Sequence, residues 1–167
     1  IQVARTRPAL LAGPLVVPIV LDVDTGAAHY TTELALTNPG PSSMDVAMTY
    51  TASIGTGSGT VSETVPAGQQ VVFPNVIAYL RSRGLAIPST AGVSQGGTLL
   101  VTPSGSSPTF IATARTTTAT KAPLPVGAAG LAYAGVPTAS GISDKAIVFG
   151  LRSTGSDRSN VAVFNTS

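Results

Sequence analysis

Turn-forming clusters interrupt this chain about every ten residues, and the stretches between them have the length of strands rather than helices. Asp24-Thr25-Gly26, Asn38-Pro39-Gly40-Pro41, the glycine-rich run 55–59, Pro66-Ala67-Gly68 and the Pro/Ser/Gly run 103–108 are such breaks. The 18 Gly and 13 Pro supply them, and residues of these types close turns while stopping helices. What lies between is rich in Val and Thr, whose β-branched side chains suit a pleated, half-buried surface. A chain cut this way folds into an antiparallel meander.

The alternation within the pieces gives each its faces. Strands are expected over residues 15–21, 30–38, 44–54, 60–65, 69–73, 97–102 and 109–118. In the second, Leu34 and Leu36 share one face while Glu33, Ala35 and Thr37 share the other. Val46, Met48 and Tyr50 do the same in the third. Residues 76–83 are the exception. Asn75 can cap a short helix there and Gly84 can stop it. Val76, Tyr79 and Leu80 lie on its inner side, with Arg81 and Arg83 on its solvent face. Residues 121–141 are looser, rich in Ala, Gly and Pro, and residues 146–151 and 159–165 read as a final strand pair. The expected fold class is an all-β, immunoglobulin-like antiparallel β-sandwich with one short helix at about residues 76–83.

The chain of 167 residues suits one ordinary domain, and hydrophobic residues at 43% are enough for a core. A net charge of +2, from nine Lys+Arg against seven Asp+Glu, forms no basic stripe, so the electrostatic footprint of nucleic-acid binding is missing. No apolar run reaches the roughly 20 residues of a transmembrane helix. With no cysteine, disulfides and thiolate metal sites are excluded. The chain begins at Ile1 without Met, as a processed chain or a fragment does.

A repeat is visible across the chain. Thr32-Glu33-Leu34-Ala35-Leu36-Thr37-Asn38 lines up with Ser159-Asn160-Val161-Ala162-Val163-Phe164-Asn165, and Ile19-Val20-Leu21 with Ile147-Val148-Phe149 at nearly the same offset. The chain thus starts a second copy of its own opening strands. Such a partial unit cannot bury its apolar face alone, so it packs on the first sandwich or is completed by another chain. Three regions follow: a detachable extension at 1–13 whose Ile1 and Val3 alternate with polar residues, a sandwich at 14–135, and the incomplete repeat at 136–167.

Three stretches carry a resemblance: YTTELALTNPG at 30–40, VIAYLRSRGLAIP at 76–88 and DRSNVAVFN at 157–165. They resemble immunoglobulin-like modules of secreted, multi-repeat bacterial surface proteins, over most of residues 15–167. The architecture is also similar to subunits of extracellular fibres joined by donor strands. The resemblance implies an extracellular setting and a structural role, and no particular chemistry.

Residues that could carry chemistry are few. Asp24-Thr25-Gly26 matches the triplet of aspartic proteases, which need a pair of carboxylates sharing a proton; one triplet would require a homodimer. The same three residues form a common β-turn. Asp22, Asp24 and Glu33 fall at positions 1, 3 and 12 of a calcium-loop template, but Gly26 and Ala27 break it. His29 is the only histidine, and no Gly-x-Ser-x-Gly elbow accompanies it. Gly55-Thr56-Gly57-Ser58-Gly59 lacks the Lys-Ser/Thr of a phosphate loop. Asn165-Thr166-Ser167 fits the N-glycan acceptor pattern, and Thr116, Thr117 and Thr118 form an O-glycan candidate cluster.

The expected role is therefore a non-enzymatic structural subunit of an extracellular fibre or pilus-like filament. No cofactor is expected; the partners are copies of the chain itself, joined head to tail, and covalent glycans. Ile1, Val3, Val161 and Val163 are the expected assembly residues. A surface adhesion or ligand-binding module is the alternative, and an aspartic protease a remote one.

Overall fold

The computed structural model describes residues 13–26, 28–89, 92–105, 109–120, 126–145, 147–155, 159, 161 and 163–165. Among these, nine antiparallel strands and one α-helix form an all-β, sandwich-like fold. The strands are β1 (Leu15–Asp24), β2 (His29–Thr37), β3 (Met44–Ile54), β4 (Ser58–Val65), β5 (Gln70–Phe73), β6 (Gln95–Pro103), β7 (Ile111–Ala119), β8 (Ala128–Ala134) and β9 (Val136–Pro137). Helix α1 (Val76–Ser82) lies between β5 and β6 in the chain. No described helix is long and apolar enough to cross a membrane.

Hydrogen bonding runs β4-β3-β6-β1-β2-β7-β8, with β5 on β2 and β9 on β1. The sheet folds over on itself at β1. The first residues of β1, Leu15 and Val16, pair with β9, and its last three, Asp22 to Asp24, pair with β2. Between them the alternation slips by one residue at Pro18-Ile19, where the register with β6 shifts. Proline has no N–H to give the ladder and is tolerated at such bulges. The slip keeps Leu15, Val17 and Val20 all fully buried.

The core fills the space between the two layers. Leu34 and Leu36 of β2, and Val46, Met48 and Tyr50 of β3, are fully buried, as the alternation requires. Val76, Ile77 and Leu80 of α1 close one end. The Asn75 side chain accepts from Ala78 N–H at 3.0 Å. At the other terminus Gly84, at φ +96°, lets Leu85 N–H reach back to the Leu80 carbonyl, the left-handed stop that glycine permits. Arg81 departs from its expected place in solvent. Its guanidinium turns inward to the carbonyls of Ile87 and Pro88 at 3.0 and 2.9 Å.

Two further differences from the expected elements have physical causes. Strand β8 forms within residues 121–141 although it is only Ala, Gly, Leu and Tyr. It pairs with β7 over seven positions, and Gly130 lies so close to β7 that a Cβ there would sit 2.0 Å from the Thr116 carbonyl oxygen. Small residues are what the packing demands. Conversely, the described residues of 146–151 and 159–165 form no strand pair. Hydrogen bonds from Ser159 N–H to the Arg152 carbonyl and from Arg152 N–H to Ser159 Oγ, both 2.9 Å, tie the residue just after the first stretch to the start of the second. Their β-branched residues have strand propensity but lack the neighbouring ladder that realises it.

A chain of hydroxyls fastens β1 to the opposite layer. Leu21 N–H donates to Thr32 Oγ1 at 2.8 Å; Thr32 and Thr116 hydroxyls lie 2.7 Å apart, and Thr116 and Tyr133 hydroxyls 3.0 Å. Tyr133 O–H donates to the Ile19 carbonyl. Each hydroxyl has one proton, so the direction is fixed: Thr32 donates to Thr116, and Thr116 to Tyr133. The relay starts and ends on β1 and passes through β2, β7 and β8. Thr32→Val keeps the shape but strands the Leu21 N–H, and is expected to cost about 1–3 kcal/mol in urea unfolding. An unchanged midpoint and slope would show the relay to be dispensable.

Tyrosine ionisation gives a second test. Tyr79 is pushed up from 10.0 to about 12 by burial, by its hydrogen bond to Glu63 and by that carboxylate's charge, against a smaller opposing pull from Arg83. Burial also raises Tyr50, against the charge of Arg81, and Tyr133, against the hydrogen bond from Thr116. The unfolded chain therefore releases these protons first, and stability falls as pH rises above the unfolded value. Unfolding free energy is expected to be level with respect to these groups below pH 10.0 and to decline from there towards about 12. Tyr79→Phe should flatten that decline; an identical slope would contradict it.

Candidate functional site

Asp22, the Asp24-Thr25-Gly26 triplet and His29 gather at one end of the sandwich, around the tip joining β1 to β2. Asp24 Oδ1 accepts from Gly26 N–H at 2.7 Å, and Thr25 N–H and hydroxyl both bond the Ala28 carbonyl, at 2.9 and 3.0 Å. This is an Asx-type turn. The carboxylate of the Asp-Thr-Gly triplet is thus used in closing the hairpin, and Gly26 supplies its positive φ of 73°.

Asp22 stands beside it, on the last turn-proximal part of β1. Its Oδ1 lies 2.7 Å from His29 Nε2, and its Oδ2 3.7 Å from Arg81 Nη2. Arg81 in turn holds the loop after α1 through two carbonyls. The row His29–Asp22–Arg81 therefore ties the hairpin to the helix and to the loop below it. With Asp24, Ser89, Gly92 and Val93, these three residues line a polar cleft of about 280 Å³. Two carboxylates, one guanidinium and one imidazole face one another there.

Glu33 is not part of this cleft. It lies along β2 opposite Arg115 of β7, with the two charged groups 3.2 Å apart. The calcium trio is corrected accordingly: among the described residues no group of three His, Cys, Asp or Glu side chains is placed to share a metal ion. The candidate O-glycan cluster is also reduced. Thr116 is buried and committed to the hydroxyl relay, whereas Thr117 and Thr118 are half-buried. Asn165 is exposed.

A second surface is apolar. Val16 and Pro18 of β1, with Val136 and Pro137 of β9, form one wall of a groove of about 450 Å³. Ile142, Val148, Val161, Val163 and Phe164 belong to its other side. Several of these side chains remain in solvent: Val161 is 55% exposed and Val163 is 93% exposed. Phe149, at 85%, is exposed nearby in the chain. In the internal alignment Val161 and Val163 correspond to Leu34 and Leu36, which are wholly buried. The same pattern thus closes a core in one copy and faces water in the other. Val161 and Val163 were singled out in the sequence and line this groove; the part supplied by β1 and β9 was not foreseen, because Val16 and Val136 meet only through the register of those strands. The other two expected assembly residues, Ile1 and Val3, lie outside the described residues.

Comparison with known protein families, with curated proteins and with solved structures gives no match.

Because Asp22 is shared between His29 and Arg81 and Glu33 is paired with Arg115, millimolar Ca²⁺ is expected to leave the thermal midpoint unchanged. A rise of several degrees on adding the ion would place a cation at the cleft. Asp22→Asn should cost about 1 kcal/mol, in keeping with partly exposed ion pairs, with a chemical-denaturation curve as the readout.

Proposed function

We propose that the chain is a structural subunit of an extracellular assembly, a fibre or pilus-like filament whose subunits join by strand addition. The observation that carries this reading is the apolar groove beside β1 and β9, whose far side leaves Val161 and Val163 in water. Monomeric proteins rarely leave large contiguous apolar patches uncovered. A neighbouring subunit's opening segment, with Ile1 and Val3 on alternate positions, has the chemistry to fill it. An added strand gains backbone hydrogen bonds, while alternate side chains enter apolar pockets.

Magnitudes favour a cooperative joint over a tight pair. Fully burying a Val or Ile side chain gains about 1.5–3 kcal/mol, so Ile1, Val3, Val161 and Val163 together contribute on the order of 6–12 kcal/mol. Association costs about 4–15 kcal/mol in lost freedom. Each joint is then marginal, and assembly depends on concentration. Donor strand and groove occupy different parts of the chain, so the contact is heterologous and propagates into a filament unless its rotation closes a ring. The extracellular setting rests on the likeness to secreted surface modules.

Two altered subunits test this. Removal of residues 1–13 takes away the donor; Val163→Asp places a charge in the groove. Each alone should stay folded by circular dichroism and fail to polymerise, while their mixture should form pairs through the one intact donor and the one intact groove. Polymers from either alone would refute strand addition at this site.

A further inference from the structure

We infer that β8 is a second, self-complementary interface, pairing antiparallel with the β8 strand of another copy of the chain. The strand stands at the end of the hydrogen-bonded order, and β7 is its one described strand partner. Six of its seven residues are exposed, and the seventh, Tyr133, is half-buried. Among the described residues its outer backbone edge carries no strand.

Open edges invite pairing, and proteins ordinarily guard them with charge, proline, short length or a covering segment. The remaining outer strands have such guards. Strand β4 carries Glu63, and Arg83 reaches the Ser62 carbonyl at 3.4 Å. Strand β5 has four residues, and β9 has two, one of them Pro137. Among the described residues β8 has no such guard: Ala128-Ala129-Gly130-Leu131-Ala132-Tyr133-Ala134 contains neither charge nor proline, and no other described strand pairs with its outer side.

The occupant follows from the same seven residues. The central one is Leu131, which is 68% exposed. A two-fold axis through it sets Leu131 against Leu131 of the second copy, Gly130 against Ala132, Ala129 against Tyr133, and Ala128 against Ala134. Every opposed pair is apolar, no like charges meet, and all but the central pair include a small residue, so the backbones can approach to ladder distance. Ala and Gly offer no pockets for a foreign peptide's side chains, whereas a copy of the same flat, uncharged strand matches them. The contact is isologous and closes as a pair. A seven-residue edge buries less than the roughly 1,600 Å² of a standard interface, so the pair is weak in dilute solution. Aligned subunits would strengthen it through multivalency. It is independent of the groove, and it would join two rows of subunits side by side.

The chain has no cysteine, so Leu131→Cys introduces a single thiol at the axis. Directly opposed residues of an antiparallel pair lie about 4.5–5.5 Å apart at Cα, within disulfide reach. The experiment uses the Val163→Asp background, which removes contacts through the groove. Val72→Cys, an exposed apolar position on β5 (44% exposed), is the control. Under mild oxidation Leu131→Cys is expected to form covalent dimers about tenfold faster than the control, reflecting the raised effective concentration. Leu131→Lys should abolish concentration-dependent dimers in sedimentation while leaving the circular dichroism spectrum unchanged. Equal cross-linking rates, or dimers that survive Leu131→Lys, would overturn the proposal.

Discussion

Strand β1 belongs to both layers of this molecule, and the hydroxyl relay is what lets it do so. Where β1 leaves its ladder, around Pro18 and Ile19, backbone groups would be buried without partners at a cost of about 1–3 kcal/mol each. Thr32, Thr116 and Tyr133 take the Leu21 N–H and the Ile19 carbonyl in their place. The three residues come from β2, β7 and β8, so one continuous set of bonds positions four strands. Once β1 is held, Asp22 is carried to His29 and Arg81 at one end, and Val16 is carried to Val136 at the other. The polar cleft and the apolar groove both descend from that placement.

The two surfaces differ in how far their groups are already spoken for. In the cleft, Asp22 is shared by a histidine and an arginine, Asp24 closes its own turn, and Arg81 holds loop carbonyls. Those polar groups work inside the molecule. In the groove, Val161 and Val163 face water, and no described residue gives them the burial that Leu34 and Leu36 have in the core. Unmet burial favours the assembly reading over a catalytic one.

How much of this was legible in the sequence depends on which force shapes each element. Strands with alternating β-branched and apolar residues could be read directly, as Leu34, Leu36, Val46 and Met48 illustrate. The short helix was legible from Asn75 and Gly84, whose side-chain chemistry marks its ends. Strand β8 was not, because its Ala and Gly reflect a close approach to β7 that exists only in three dimensions. The described residues of 146–151 and 159–165 went the opposite way: their propensity is real, but propensity without a ladder makes no strand. Thr32 and Thr116 look like solvent-facing threonines, yet Thr32 shares a face with Leu34 and Leu36, and that spacing was a usable sign of burial. Arg81 was read as solvent-facing from its place on the helix; the carbonyls that turn it inward come from residues six and seven further along the chain.

Self-association is the claim on which the functional account stands, and electron microscopy of the unaltered protein tests it most directly. Negatively stained samples over a range of concentrations are predicted to show filaments that lengthen as concentration rises. Isolated particles at every concentration, with no growth even in the most concentrated sample, would contradict it.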